Sequence, residues 1–218
     1  MVVRALKQLR RQALETVYDL APSRLLIRCG PAHSRRVALT FDDGPDDLTV
    51  RYLDTLDSLG VYATFFIMGD QSAARPDLVL EYVRRGHQVA GHGYSHTKFT
   101  ALSRVALLTE LAKTEEQLPP AATARPWVRP PYGALGPSSF AVCAVAGYTM
   151  ALWSFSSEDY DAKEPDTLVA RCAPAHVRPG DVMLFHEGHE STLAALPRIV
   201  GNLREAGYGF ATMAELVG

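Results

Sequence analysis

The stretch VALTFDDGP, residues 37–45, decides how this chain is organised. Its opening residues suit a buried strand, and that strand runs directly into the adjacent carboxylates of Asp42 and Asp43. Gly44 and Pro45 then end the regular structure. Two like charges held this close destabilise each other, most of all where water is scarce, so the sequence requires a compensating group at the end of the strand.

Strands and helices alternate along the rest of the chain. Apolar runs bounded by turn residues predict seven strands, at 37–41, 63–69, from 87, near 127, at 148–153, from 181 and at 208–213. Helical apolar spacing predicts helices at 48–60, 75–86, 101–118, 138–147, 166–177 and 191–207, with a Pro- and Ala-rich linker at 119–126. This alternation is typical of a parallel sheet with crossover helices. Seven units without a glycine-rich dinucleotide fingerprint favour a closed or nearly closed α/β barrel over an open Rossmann sheet.

The barrel is expected to form a single domain over residues 35–218, preceded by an N-terminal helix and linker at residues 1–34. Apolar residues of the first segment follow helical spacing, at Val2, Leu6, Leu9, Ala13, Val17 and Leu20. An amphipathic helix with basic residues elsewhere around it either packs on the outside of the domain or lies on an anionic membrane surface. Both alternatives stay open from the sequence.

Charge and cysteine content limit the partners and the compartment. A net charge of -2 offers no basic field for a polyanion, which argues against nucleic acid as a partner. The three cysteines, Cys29, Cys143 and Cys172, lack CxxC spacing and are expected to be free thiols in a reducing compartment. The sequence has no apolar run long enough to cross a bilayer and no recognisable secretion signal, so the chain is expected to be cytoplasmic. The alternative is a cytoplasmic protein that contacts a membrane surface through its N-terminal helix. The sequence indicates no particular oligomeric state.

Polar residues follow five of the predicted strands where each strand ends. They are Asp42-Asp43, the segment from His92 to His96, the segment from Arg129 to Tyr132, SFSSEDYD after Trp153, and His186-Glu187. In a parallel barrel these ends lie on one face, where active sites of this architecture are built from the loops. The sequence therefore predicts a site at that face.

His92 and His96 are candidate metal ligands. Gly91 and Gly93 flank the first histidine, which favours a strand end turning into a loop. With a carboxylate from Asp42 or Asp43, the two histidines form a set that suits Zn²⁺ or a similar divalent ion and leaves positions for water and substrate.

A divalent cation would also offset the repulsion between the paired carboxylates of Asp42 and Asp43. It would neutralise one carboxylate and leave the other to accept a proton. Water held by the ion would lose its proton to that base and attack a carbonyl polarised by the same ion, and His186 would protonate a leaving amine.

Two other interpretations account for some of these residues. DDGPDD resembles an aspartate-rich Mg²⁺-diphosphate motif, but such motifs usually lie on helices, which Gly44-Pro45 would break, and no P-loop or lysine cluster accompanies it. A non-haem Fe(II) oxygenase uses the same ligand types. That chemistry usually occurs in an antiparallel double-sheet fold, which the strand–helix alternation does not support.

Five ordered segments resemble the motifs of the NodB-homology polysaccharide deacetylases, carbohydrate esterase family 4. They are Thr40–Pro45, His92–His96, Arg129–Tyr132, Trp153–Tyr160 and Leu184–His186. The match spans residues 37 to about 213. It implies a distorted (β/α)7 barrel and metal-dependent hydrolysis of an N-acetyl group, usually on an amino sugar.

The resemblance also assigns roles around the metal. It implies that Asp43, His92 and His96 hold a divalent cation, with Zn²⁺ the first candidate and Co²⁺ or another divalent ion as alternatives. Asp42 would be the catalytic base, and Arg129 would hold it in place.

The other roles concern the scissile amide. The resemblance implies that the backbone N–H of Tyr132 donates to the oxyanion and that His186, oriented by Asp159, is the general acid. Tyr160 and Leu184 would line the pocket for the acetyl methyl group.

Four positions depart from the family pattern. Ser156 stands where the first acid of Asp-x-x-Asp-Trp is usual, and Tyr160 replaces the tryptophan. Gly91 replaces a frequent Asn, and Glu187 replaces a frequent Asp. These changes bear on the substrate more than on the reaction type.

The expected function is N-deacetylation of an amino sugar in a short oligosaccharide, a lipid-linked sugar or a biosynthetic intermediate. Alternatives within the enzymes are a sugar deformylase, an allantoinase-like C–N hydrolase and an O-acetyl esterase. An inactive carbohydrate-binding protein is the alternative from another class, and Ser156 is the one feature that favours it.

Overall fold

The computed structural model describes residues 22, 24–123 and 126–218. The helix predicted within residues 1–20 lies outside the described residues, so the division at residue 34 stays a prediction. Within the described residues, no helix combines the length and apolarity needed to cross a membrane. Cys29, Cys143 and Cys172 all lie within the described ranges, and no disulfide joins them.

The centre of the fold is a nine-stranded sheet in which every strand pairing among the described residues is parallel. Its strands are β1 Leu26–Ile27, β2 Arg36–Asp42, β3 Thr64–Ile67, β4 Gln88–Gly91, β5 Trp127–Val128, β6 Thr149–Ala151, β7 Phe155–Ser156, β8 Val182–His186 and β9 Gly209–Phe210. The order is β1-β6-β5-β4-β3-β2-β8-β7, and β9 pairs with the start of β2. An antiparallel bridge from Cys29 to Asp181 links the segment after β1 to the segment before β8. The α/β class and the distorted barrel are confirmed, and so are the seven predicted strands.

Helices follow most strands. They are Thr49–Leu59, Gly69–Ala74, Pro76–Arg84, Arg104–Glu115, Pro120–Thr123, Pro137–Val145, Pro165–Arg171, Glu190–Glu205 and Met213–Val217. In the described part of the chain, 3₁₀ turns lie at Phe99–Ala101, Pro131–Gly133 and Asp159–Asp161. All six predicted helices are present. The helix predicted for 166–177 ends at Arg171, because Pro174 disfavours helical backbone just before it.

Several short elements were not predicted. The expected linker at 119–126 contains the helical turn Pro120–Thr123, and β1 and β7 have only two residues each. Two residues are too few for a period-two pattern to be recognised. The position of β7 matters for the site: it pairs with β8, on the opposite side of the sheet from β6, which precedes it in sequence.

The two faces of β2 have different surroundings. Leu39 and Phe41 belong to the large core between sheet and helices, where the Phe41 ring lies 5.2 Å from the ring of Phe65. Ala38, one residue away, belongs to a smaller cluster together with residues of β3, β4, β6 and β8. Because side chains alternate along a strand, Asp42 points to the same face as Ala38. The sheet thus directs Asp42 into the barrel.

Candidate active site

The polar clusters lie along one edge of the sheet, as predicted. Asp42 is the last residue of β2, His92 follows β4, Arg129 follows β5, and His186 ends β8. Because these strands are parallel, their carboxyl ends open to the same side. A cavity of about 1010 Å³ lies elsewhere, lined by the first residues of β4, β5 and β6 at the opposite ends of the strands.

Asp43, His92 and His96 form the one group of potential metal-ligating side chains found in the described part of the chain, with ligand atoms within 4.8 Å of one another. Asp43 Oδ1 lies 3.4 Å from His92 Nε2 and 3.2 Å from His96 Nε2. His92 Nδ1 lies 2.8 Å from the carbonyl oxygen of Arg129. A carbonyl oxygen only accepts, so Nδ1 carries the proton and Nε2 turns its lone pair toward Asp43.

The donor set fits a divalent cation. Asp43 Oδ1 is buried and has no hydrogen-bond partner among the described residues, which is costly unless another group satisfies it. A carboxylate oxygen beside two imidazole nitrogens suits Zn²⁺ or a similar ion and leaves coordination positions open.

Left-handed backbone is concentrated in the loops of this site. Among the described residues other than glycine, a positive φ occurs at Asp43 (76°), His96 (55°), Tyr132 (61°) and Glu158 (53°). Such backbone is unfavourable for residues with a Cβ and persists only where the surroundings enforce it. All four residues lie in segments that carry the motifs, which indicates that the fold holds these loops for a purpose other than stability.

Asp42 is paired with a fully buried arginine. Its Oδ1 accepts a hydrogen bond of 2.6 Å from Nη1 of Arg129, and its Oδ2 lies 3.7 Å from His92 Nε2. Arg129 has no exposed surface and also donates to Thr40 Oγ1 at 2.9 Å. The guanidinium lies 3.9 Å from the ring centre of Phe66. Asp42 is therefore held beside the ligand group with its charge compensated.

His186 and Asp159 form a second pair, and His186 lies beside Asp42 in the register of β8 with β2. His186 Nδ1 lies 2.7 Å from Asp159 Oδ1, and the backbone N–H of His186 donates to Oδ2 at 2.7 Å. Burial alone lowers the pKa of His186, but Asp159 outweighs it and raises that pKa. Burial likewise raises the pKa of Asp159, and His186 outweighs it and lowers that pKa. The pair favours imidazolium beside carboxylate, with Nε2–H left to donate.

Asp159 reaches His186 because of β7. The segment SFSSEDYD follows the strand at 148–153 as predicted, and two of its residues, Phe155–Ser156, form β7 and pair with β8. The turn that follows β7 therefore begins next to the end of β8. Ser156, the departure from the family pattern, is the last residue of β7, and its Oγ accepts from the N–H of Glu158 at 3.3 Å.

The three remaining predicted residues border the same site. Tyr132 is 62% exposed, and its ring lies 4.6 Å from that of His96. The turn that contains it uses the N–H groups of Gly133 and Ala134, not that of Tyr132. Tyr160 is also 62% exposed, with its ring 6.0 Å from that of His186. Leu184 is buried in β8, two residues before His186 and hence on the same face.

Sequence reasoning missed some supporting side chains. Thr40 accepts from the same Arg129 nitrogen as Asp42, and period-two alternation could have identified it, because Thr40 and Asp42 share a face. Thr192 donates to Asp159 Oδ2 at 3.0 Å. No local pattern marks Thr192, because its partner is distant in sequence.

A parallel barrel with ligand, base and acid candidates at the carboxyl ends of its strands has the layout of barrel enzymes. The family model "Polysaccharide deacetylase" matches residues 30–151. The chain belongs to this family, which confirms the resemblance to the NodB-homology proteins of carbohydrate esterase family 4.

Two curated relatives illustrate the family. The chain is 34% identical over 187 residues to the peptidoglycan-N-acetylglucosamine deacetylase PgdA of Listeria monocytogenes, a match covering 85% of this chain and 39% of that protein. It is 32% identical to the chitooligosaccharide deacetylase of Sinorhizobium fredii, over 79% of this chain and 87% of that protein. The chain thus spans about two fifths of the length of the Listeria relative.

Solved structures agree on the fold. The peptidoglycan N-acetylglucosamine deacetylase Bc1960 superposes with a TM-score of 0.83 at 30% identity, over 88% of this chain and 92% of that one. BA3943 of Bacillus anthracis, described as a family pseudoenzyme, gives 0.82 at 26% identity, over 90% of this chain and 70% of that one. A protein of this fold can thus be described as a pseudoenzyme, so the fold alone does not establish activity.

Proposed function

We propose that this protein is a metal-dependent carbohydrate N-deacetylase that hydrolyses the acetamide of an N-acetylated amino sugar within a glycan. The observation that carries the proposal is the group of Asp43, His92 and His96 at the strand ends where the Asp42–Arg129 pair and the His186–Asp159 pair also lie. The relatives named for peptidoglycan and chitooligosaccharide deacetylation support the substrate class.

The proposed mechanism gives each side chain one task. A divalent cation held by Asp43, His92 and His96 would act as a Lewis acid, making water more acidic and polarising the amide carbonyl. Asp42 accepts the proton of the attacking water, and Arg129 keeps the Asp42 carboxylate oriented by a hydrogen bond of 2.6 Å.

The remaining groups act on the amide. The Tyr132 N–H, not used by its own turn, donates to the oxygen that gains negative charge. His186 gives its Nε2 proton to the departing amine, so that C–N cleavage releases acetate and a free amino sugar. Asp159 fixes the imidazole through Nδ1 and favours its protonated form. Tyr160 and Leu184 bound the space for the acetyl methyl group.

Acetate release from a substrate panel tests the proposal. The panel contains chitooligosaccharides, peptidoglycan fragments, a lipid-linked N-acetyl sugar, an N-formyl sugar, O-acetyl xylan and a cyclic ureide. We expect N-acetyl substrates to be hydrolysed and the last two to be poor, and we propose Zn²⁺ as the ion recovered by metal analysis. Chelation should abolish turnover, and Asp42→Asn and His186→Ala should each reduce kcat by at least about 100-fold.

The outcomes separate the alternatives. Preference for the xylan ester or the ureide would replace the N-deacetylase proposal by an esterase or an allantoinase-like activity. Turnover that persists after chelation would refute the mechanism. A folded, metal-loaded protein that binds chitooligosaccharides and releases no acetate would establish a carbohydrate-binding role instead.

A further inference from the structure

Glu187 is a buried carboxylate next to the proposed site, and the mechanism above gives it no task. It directly follows β8, and its N–H donates to the carbonyl oxygen of Asp42 at 3.0 Å. Its side chain is 3% exposed. Oε1 accepts from Thr49 Oγ1 at 2.8 Å and Oε2 from the Tyr82 hydroxyl at 2.7 Å. Both oxygens are therefore engaged by hydroxyl groups, and Glu187 lies outside the ligand group.

The carboxylate of Glu187 lies directly against the turn that carries the acid pair. A Cβ on Gly44 would lie 1.7 Å from Glu187 Oε2 and 2.7 Å from the Tyr82 hydroxyl oxygen, so Gly44 fits only because it has no side chain. On its other side, the Gly44 carbonyl accepts from the N–H of Met68 at 2.9 Å. The turn after β2 is thus held between β3 and the Glu187 carboxylate.

The contact between Glu187 and this turn affects the proposed metal site through Asp43. The residue has a φ of 76°, an unfavourable backbone conformation that it keeps only while neighbouring contacts enforce it. Gly44 is the next residue, so loss of its contact with Glu187 would let the backbone of Asp43 relax. Asp43 Oδ1 would then leave its position beside His92 and His96.

We propose that Glu187 is a positioning residue for the metal site: held by Tyr82 and Thr49, it fixes the Asp42–Gly44 turn and thereby sets the affinity for the divalent cation. This inference rests on the proposed function. The Glu187 side chain is long enough to accept from both hydroxyls at once.

Metal affinity, rather than activity, is the measurement. The metal-free protein is titrated with Zn²⁺ in competition with a chromogenic chelator and with Co²⁺, whose visible absorption reports the ligand set. Tyr82→Phe removes one hydroxyl and keeps the ring. We expect it to weaken Zn²⁺ binding by about 10- to 100-fold, the usual effect of removing a group that orients metal ligands.

Tyr208→Phe is the matched control. Tyr208 is also a buried tyrosine whose hydroxyl donates at 2.7 Å, but to the Val177 carbonyl oxygen. It should lose similar folding stability and keep its Zn²⁺ affinity. Glu187→Asp, which falls short of the hydroxyls, should lose affinity as Tyr82→Phe does, whereas Glu187→Gln, which keeps the length, should stay within about tenfold of wild type.

Equal Zn²⁺ affinities of wild type, Tyr82→Phe and Glu187→Asp would overturn the inference. So would an equal loss in Tyr208→Phe, because the effect would then be one of general stability. If the wild-type protein binds no divalent ion, the proposed function itself fails, and the two failures are thereby distinguished.

Discussion

Replacing Arg129 by methionine tests whether Arg129 compensates the buried charge of Asp42. Its guanidinium donates to Asp42 and Thr40, to the carbonyl oxygens of Ala151 and Leu152, and has no exposed surface. Methionine fills much of the volume without any donor. The Asp42 carboxylate, 3% exposed, would then lose its only arginine or lysine partner among the described residues.

The expected loss of stability is large. Removing one partner of a buried ion pair costs about 3–5 kcal/mol, because an uncompensated charge remains in a place with little water. That is a large fraction of the roughly 5–15 kcal/mol that stabilises a typical domain. Urea unfolding of the metal-free protein measures it, provided the slope with denaturant is unchanged. Activity should fall as well, because Asp42 loses its orientation.

A double variant tests whether the uncompensated Asp42 charge causes the loss of stability. Asp42→Asn in the Arg129→Met background removes the stranded charge and should recover about 2 kcal/mol, an interaction energy typical of residues in contact. Arg198→Met is the control, because its ion pair with Asp166 is exposed, and exposed pairs contribute about 0–1 kcal/mol. Arg129 does not compensate a buried Asp42 charge if Arg129→Met lowers the unfolding free energy no more than Arg198→Met does. The same conclusion follows if adding Asp42→Asn restores no stability.

Three further predictions concern pH and backbone. Because Asp159 raises the pKa of His186, the general acid stays protonated to higher pH. Asp159→Asn should therefore shift the alkaline limb of the kcat/KM profile to lower pH. An unshifted limb would exclude His186 as the general acid. Burial lowers the pKa of His87 from 6.5 to about 4, so the unfolded chain takes up the proton first as pH falls, and stability should drop by about 3 kcal/mol between those values. His87→Gln, which cannot titrate, should flatten that part of the urea-unfolding profile against pH, and parallel profiles would count against the assignment. Gly44→Ala should destabilise the protein and weaken Zn²⁺ binding in the same titration, whereas Gly201→Ala, in a helix with open space around the site of the new Cβ, should be neutral or stabilising by up to about 1 kcal/mol; similar effects of the two would refute the close contact at Gly44.

Local pattern in the sequence determined the main elements and the chemistry-bearing positions. The run before Asp42 predicts β2, and helical spacing predicts six helices that are present, because both patterns arise from contacts within a few residues. Strand ends followed by Asp, His and Arg predict a common face, since parallel strands direct their carboxyl ends to one side. The resemblance to the family motifs added a role for each of these residues.

Only the tertiary structure shows which of these side chains contact one another. Asp159 meets His186 because the two-residue strand β7 pairs with β8, and a strand that short has no signature of its own. Glu187 sits between Tyr82 and Thr49, which come from two separate helices, and no spacing along the chain relates the three. Such contacts are set by the register of the sheet and the seating of helices on it, which depend on the summed packing of the whole barrel rather than on neighbours in sequence.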